Sequence, residues 1–306
     1  MEYLYILIAV IGISGVFVTS KIYQRNYTKN FISLMIFSFF LALGGFAFSF
    51  IVNGFTIRFS TVTLAYALVV AIAIGFDNIA GVVALKYCKM SLYTTFILSG
   101  GMVIPSIVGM LFWGEPIVGW RIAGISTVLL ALVVPTFEKS DKRTSKIGLL
   151  LCLGVFVCNG INNVFTKLHQ LTPNALGTQD FLIWENLCNC ALTLLITTAF
   201  VCITHTKKSS VPLQDERTKD KSTITLTRWL IPVSLILLTS LISGVGQTFN
   251  LMAAKTVPAS LLYPLTTGGS MILSAVCGKI FFNEKISKWN AISLTLAALG
   301  TVLFVL

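Results

Sequence analysis

The chain is written twice. Shifted by 169 positions, residues 84–133 fall on 253–302 without a gap, and 13 of the 50 pairs are identical. An apolar composition produces chance Leu, Val and Ile matches, but these pairs include polar and bulky residues at one spacing. Lys86 meets Lys255, Ser91 meets Ser260, Gly100 meets Gly269, Glu115 meets Glu284 and Trp120 meets Trp289. Upstream, residues 20–24 (SKIYQ) fall on 166–170 (TKLHQ) at offset 146, and 30–33 fall on 180–183 at offset 150. Loop length absorbs the difference. A duplicated hydrophobic chain is a pattern typical of transporters.

What is duplicated is membrane-like. The 306 residues are 56% hydrophobic and 11% charged, against about a quarter charged in a soluble domain. Ten apolar runs are long enough to cross a bilayer as helices: 3–20, 31–52, 62–85, 91–113, 117–137, 147–168, 181–204, 229–252, 259–282 and 287–306. Lipid offers the backbone no hydrogen-bond partner, so such runs are helical. A barrel strand would alternate instead. The expected fold class is an all-α integral membrane protein. The first span carries Glu2 where a signal peptide has basic residues, and is expected to stay on the chain.

Five spans per copy is an odd number, so the second copy enters the membrane inverted. The expected organisation is a first repeat over 1–137, a linker over 138–146 and a second repeat over 147–306, with a polar loop at 205–228. Loops after odd-numbered spans, counted with their helix ends, hold 18 Lys and Arg, and the others hold 4. The positive-inside rule then places the odd loops in the cytoplasm and the termini outside. The net charge of +11 is dispersed over short loops, so nucleic acid is not an expected partner.

The motifs GEPIVGWRIAGISTVLLAL at 114–132 and NEKISKWNAISLTLAALG at 283–300, with SGVFVTSK at 14–21 and NNVFTK at 162–167, resemble the drug/metabolite transporter superfamily and its EamA-type members. The likeness runs over essentially the whole chain, and Gly114 is replaced by Asn283 in the second copy. The resemblance implies ten helices in two inverted five-helix repeats. It also implies a multi-pass cell-membrane protein that moves a small metabolite, such as an amino acid, by alternating access, in the export direction. It draws both termini in the cytosol, opposite to the charge count, so orientation stays open. The alternatives are a lipid-linked sugar flippase and a non-transporting receptor or scaffold subunit. The expected partners are a small-molecule substrate and the lipid bilayer, with a homodimer left open.

Polar residues inside spans carry the functional weight, because placing them there is costly. The candidates for substrate binding or coupling are Asp77, Asn78, Asn159, Asn163, Glu185, Gln247 and Asn250. Asn78 and Gln247 are repeat equivalents, and Asn159 and Asn163 share a helix face. Glu185, about one turn inside its span, falls on apolar Met35, which makes it a lone carboxylate. Glu115, before Pro116, is expected to face the positive end of the fifth helix, with Glu284 beside a cap at Ser287. Lys21 and Lys167 are expected to snorkel to the interface. Pro105 and Pro264 mark expected kinks.

Enzyme chemistry has little to stand on. His169 and His205 have no ligand-spaced partners, and Cys188 and Cys190 form a lone pair, so no metal site and no cofactor is expected. A nucleotide-binding glycine loop is also missing, which leaves transport to a gradient or exchange.

Overall fold

The computed structural model describes residues 1–27, 31–87, 90–134, 145–208, 227–282 and 287–305. Most of the linker, most of the 205–228 loop and Glu284 lie outside them. The described residues are all-α, with ten helices and no strand. They are α1 Glu2–Tyr27, α2 Phe31–Val52, α3 Thr61–Tyr87, α4 Met90–Phe112, α5 Gly119–Val133, α6 Lys146–Leu171, α7 Thr178–Lys208, α8 Thr227–Thr256, α9 Ala259–Phe282 and α10 Lys288–Val305. All but α5 and α10 are long and apolar enough to cross a membrane, as a multi-pass membrane protein requires. Large apolar side chains such as Leu111, Leu150, Leu195 and Leu237 stand on the outside. Water would penalise that surface and lipid would not.

Lipid tails solvate Leu as well as a protein core does, so close backbone approach and interhelix hydrogen bonds must hold such helices together. Small residues supply the approach. A Cβ on Gly12 of α1 would stand 2.6 Å from the Gly246 Cα of α8. The α4–α6 contact is as tight, because a side chain on Gly100 would run into the Phe156 carbonyl.

The packing partners lie mainly across the two halves. Helix α1 packs on α8, α6 on α3, α2 on α7 and α5 on α10. Single contacts recur with them. The Lys21 ammonium lies 5.0 Å from the Phe282 ring centre, and that of Lys167 lies 5.9 Å from Trp113. These residues are equivalents at offsets 146 and 169. Gly100 against Phe156 is matched by Gly269 against Val10, and Gly124 against Gly300 by Ser293, whose hydroxyl donates to the Ala131 carbonyl at 2.8 Å.

Pro105 sits inside α4 without ending it. Pro264 opens a π-helical turn, Pro264–Gly268, inside α9. Proline withdraws one donor from the helix ladder, and the wider turn accommodates the loss.

Candidate functional site

A cavity of about 170 Å³ lies between the halves, lined from α1, α4, α6, α7, α8 and α9. Asn159, Asn163, Glu185, Gln247 and Asn250 line it. Asp77 and Asn78 are not among its lining residues. One Asp77 carboxyl oxygen is buried without a hydrogen-bond partner. At offsets 169 and 146 Asp77 and Cys158 are the equivalents of Gly246 and Gly12, so on α3 and α6 they hold the places that correspond to the close contact of α8 and α1. The pairing of Asn78 with Gln247 therefore does not extend to the cavity wall.

Four pairs of repeat-equivalent positions meet around the cavity. Ile13 and Phe17 on α1 correspond to Asn159 and Asn163 on α6, and Ile97 and Leu98 on α4 to Thr266 and Thr267 on α9. The first half thus builds an apolar wall and the second a polar one. The π turn after Pro264 carries Thr266 and Thr267. Such turns are common where a helix serves a function.

The two asparagines of α6 do two jobs at once. Asn159 Nδ2 donates to the Ile97 carbonyl, and Asn163 Nδ2 to the Gly101 carbonyl at 2.8 Å. Both pairs are four residues apart, so they form a short ladder between α6 and α4. Gly101 makes room, because a Cβ there would lie 2.8 Å from both amide nitrogens. The nitrogens hold the helices together, while the same side chains line the cavity.

Glu185 sits deeper than its sequence position suggests. Helix α7 begins at Thr178, so Glu185 lies about two turns in rather than one. Among the described residues, none hydrogen-bonds to its carboxylate or pairs with it. Asn250 is 7% exposed, and its Oδ1 is buried without a partner.

The end of the bundle beyond the cavity corrects two expectations. Glu115 does not serve α5, which starts at Gly119 with no side-chain cap. Gly114, at φ +66°, ends α4 in the left-handed conformation, and the Glu115 amide turns back to the Gly109 carbonyl at 3.2 Å. This aims the carboxylate across the halves at the start of α9. There it accepts from the amides of Ala259 (2.5 Å) and Ser260 (2.9 Å) and from the Ser260 hydroxyl. The dipole it neutralises is that of α9. Arg121 Nη1 donates to Ser260 Oγ at 2.7 Å and to the Pro116 carbonyl at 3.1 Å. Lys167 does not snorkel. It is 3% exposed and donates to the carbonyls of Ala254 (3.0 Å) and Val257 (2.6 Å), closing the end of α8.

His169 is buried in the same region. Its Nδ1 lies 2.9 Å from Gln170 Nε2 and its Nε2 3.1 Å from Thr63 Oγ1, within hydrogen-bond reach of both. The ring stacks on Phe181 with centres 4.2 Å apart. Among the described residues, no three His, Cys, Asp or Glu come together as a metal site.

Sequence reasoning did not single out Tyr263, Thr266, Thr267 and Ser270 as lining residues. Hydroxyls in an apolar run give no warning by themselves. The one available signal was Pro264.

No protein-family model matches the chain, and no curated protein matches it. Solved structures do. One, described only as a crystal structure of a protein, superposes with a TM-score of 0.66 over 99% of this chain and 95% of its own, at 15% identity. At that identity the likeness shows a shared fold and nothing about function.

Proposed function

We propose that the chain is a secondary-active transporter of a small metabolite, working by alternating access between two inverted five-helix repeats in the cell membrane. The observation that carries this reading is the cavity itself. It lies between the halves, and equivalent positions of both repeats line it. The recurrence of contacts across the halves supports the inversion, because an arrangement of equivalent halves can be rebuilt facing the other side at similar energy. Ten crossings, with α5 and α10 as the shorter ones, complete the architecture. This is also the organisation implied by the resemblance to EamA-type transporters.

In this reading Glu185 is the coupling or substrate-binding acid. A carboxylate inside a membrane must be hydrated, paired or protonated. A cavity with a polar wall allows all three, and exchange between them links the acid to whatever passes. The remaining polar residues orient the substrate, and the apolar wall accepts its carbon skeleton.

The test is flux in proteoliposomes made from the purified chain, by counterflow of a labelled mixture of amino acids and amines. Uptake above that of protein-free vesicles is expected, and the substitution Glu185→Gln should abolish it or remove its pH dependence. No flux of any component would overturn the reading. Orientation is tested separately. A cysteine at Ser210 should resist impermeant thiol reagents in intact cells if the basic loop is cytoplasmic.

A further inference from the structure

The polar wall carries one acid, Glu185, and among the described residues no base. The amide nitrogens of Asn159 and Asn163 are engaged by backbone carbonyls of α4. A backbone carbonyl can only accept, so the orientation of both amides is settled, and each leaves its oxygen and one N–H over. Four of the lining hydroxyls are engaged too. Thr166 donates to Asn162 Oδ1 at 3.2 Å, Tyr263 to the Asn163 carbonyl at 2.6 Å, Thr266 to the Leu262 carbonyl at 2.9 Å and Ser270 to the Thr267 carbonyl at 2.9 Å.

What stands out is one acid without a base. Asn250 Oδ1 is buried and unpartnered, and the Glu185 carboxylate has no described partner. Among the described residues, no Lys, Arg or His lines the cavity. A carboxylate or phosphate entering it would meet a negative charge, with no cation to offset its dehydration. An ammonium brings the reverse, up to three donors and the charge that Glu185 lacks.

We propose that the cavity binds a small protonated amine with an apolar body, its ammonium paired with Glu185 and its carbon chain against the wall of Ile13, Phe17, Ile97 and Leu98. This names the substrate class and so rests on the transporter reading above. It excludes anions and disfavours uncharged alcohols of the same shape. Carboxylate-bearing metabolites, free amino acids among them, enter poorly. An α-carboxylate would add a second negative charge beside Glu185, where no described Lys, Arg or His lines the cavity.

The probes are three four-carbon compounds that differ only in head group: butylamine, 1-butanol and butyrate. Saturation-transfer NMR on the purified protein should show butylamine bound and displaceable by other primary amines, with neither of the others bound. Glu185→Gln should weaken butylamine at least about tenfold, a difference of about 1.4 kcal/mol, with a native-like melting curve as the folding control. If that variant does not fold, competition among the three probes on the unaltered protein decides alone.

Butyrate or 1-butanol binding as well as butylamine would overturn the proposal. So would undiminished butylamine binding by a folded Glu185→Gln. The two readings fail differently. Amine binding without movement across the bilayer removes the transporter and leaves the ligand class. Flux of an anion that amines neither inhibit nor replace removes the ligand class and leaves the transporter.

Discussion

Two regions about two turns apart treat their charges in opposite ways. Where the α4–α5 turn meets the α8–α9 turn, each charge is matched. Glu115 has three donors, Arg121 two acceptors, and Lys167 two carbonyls and a ring. Deeper, around the cavity, Glu185 and the Asn250 oxygen are matched by nothing described. The partners at the bundle end are helix-terminal amides and carbonyls, which exist in any helical protein and need satisfying anyway. The cavity lies inside the helices, past the end groups, where the backbone has few free groups to offer. A charged residue at a helix end therefore reads as architecture, and one at mid-helix awaits a partner from outside.

The contrast predicts that function and stability separate by region. The largest effect should be on flux. Glu185→Gln should lower it at least about tenfold, or about 1.4 kcal/mol in the barrier, while the melting temperature in detergent holds or rises, because an unmatched charge has been removed. A clear loss of stability in that variant would erase the distinction between the two regions.

Lys167→Met should do the opposite. It leaves two buried carbonyls without a donor, at a cost of about 2–3 kcal/mol, read as a lower denaturation midpoint. A folded variant with native stability would show that the end of α8 finds other partners. Glu115→Gln is the milder test, because the amide keeps the shape and one acceptor oxygen. The charge at the N-terminus of α9 is lost, at about 1 kcal/mol, with butylamine affinity unchanged. Smallest of all should be Asp77→Asn, which lies outside the cavity lining. Flux near the native rate is expected, and abolished flux in a folded protein would bring Asp77 into the mechanism.

Much of the scaffold was legible beforehand. The runs at 31–52 and 259–282 coincide with α2 and α9, and the others agree within about four residues, except that α1 continues past 20 to Tyr27. Apolar length is a local property and lipid allows only one way to use it. Glu185 stood out because its repeat equivalent is Met35. The cavity itself was less legible. Of the seven candidates, five line it, and Asp77 and Asn78 do not. Depth along a span can be counted in residues, but the side a residue faces depends on where its neighbours pack.

Glu115 shows the limit most clearly. Nearby Pro116 suggested service to the next helix, yet its partners lie 144 and 145 positions away.

Sequence alone determined the ten helices, their duplication and the residues that a bilayer makes costly. Each follows from composition and period along a single segment. Only the tertiary structure decided which amides tie helices together, which acid was left without a described partner and which helix Glu115 caps. Those outcomes depend on backbone groups brought together across the two halves, and no local pattern encodes that meeting.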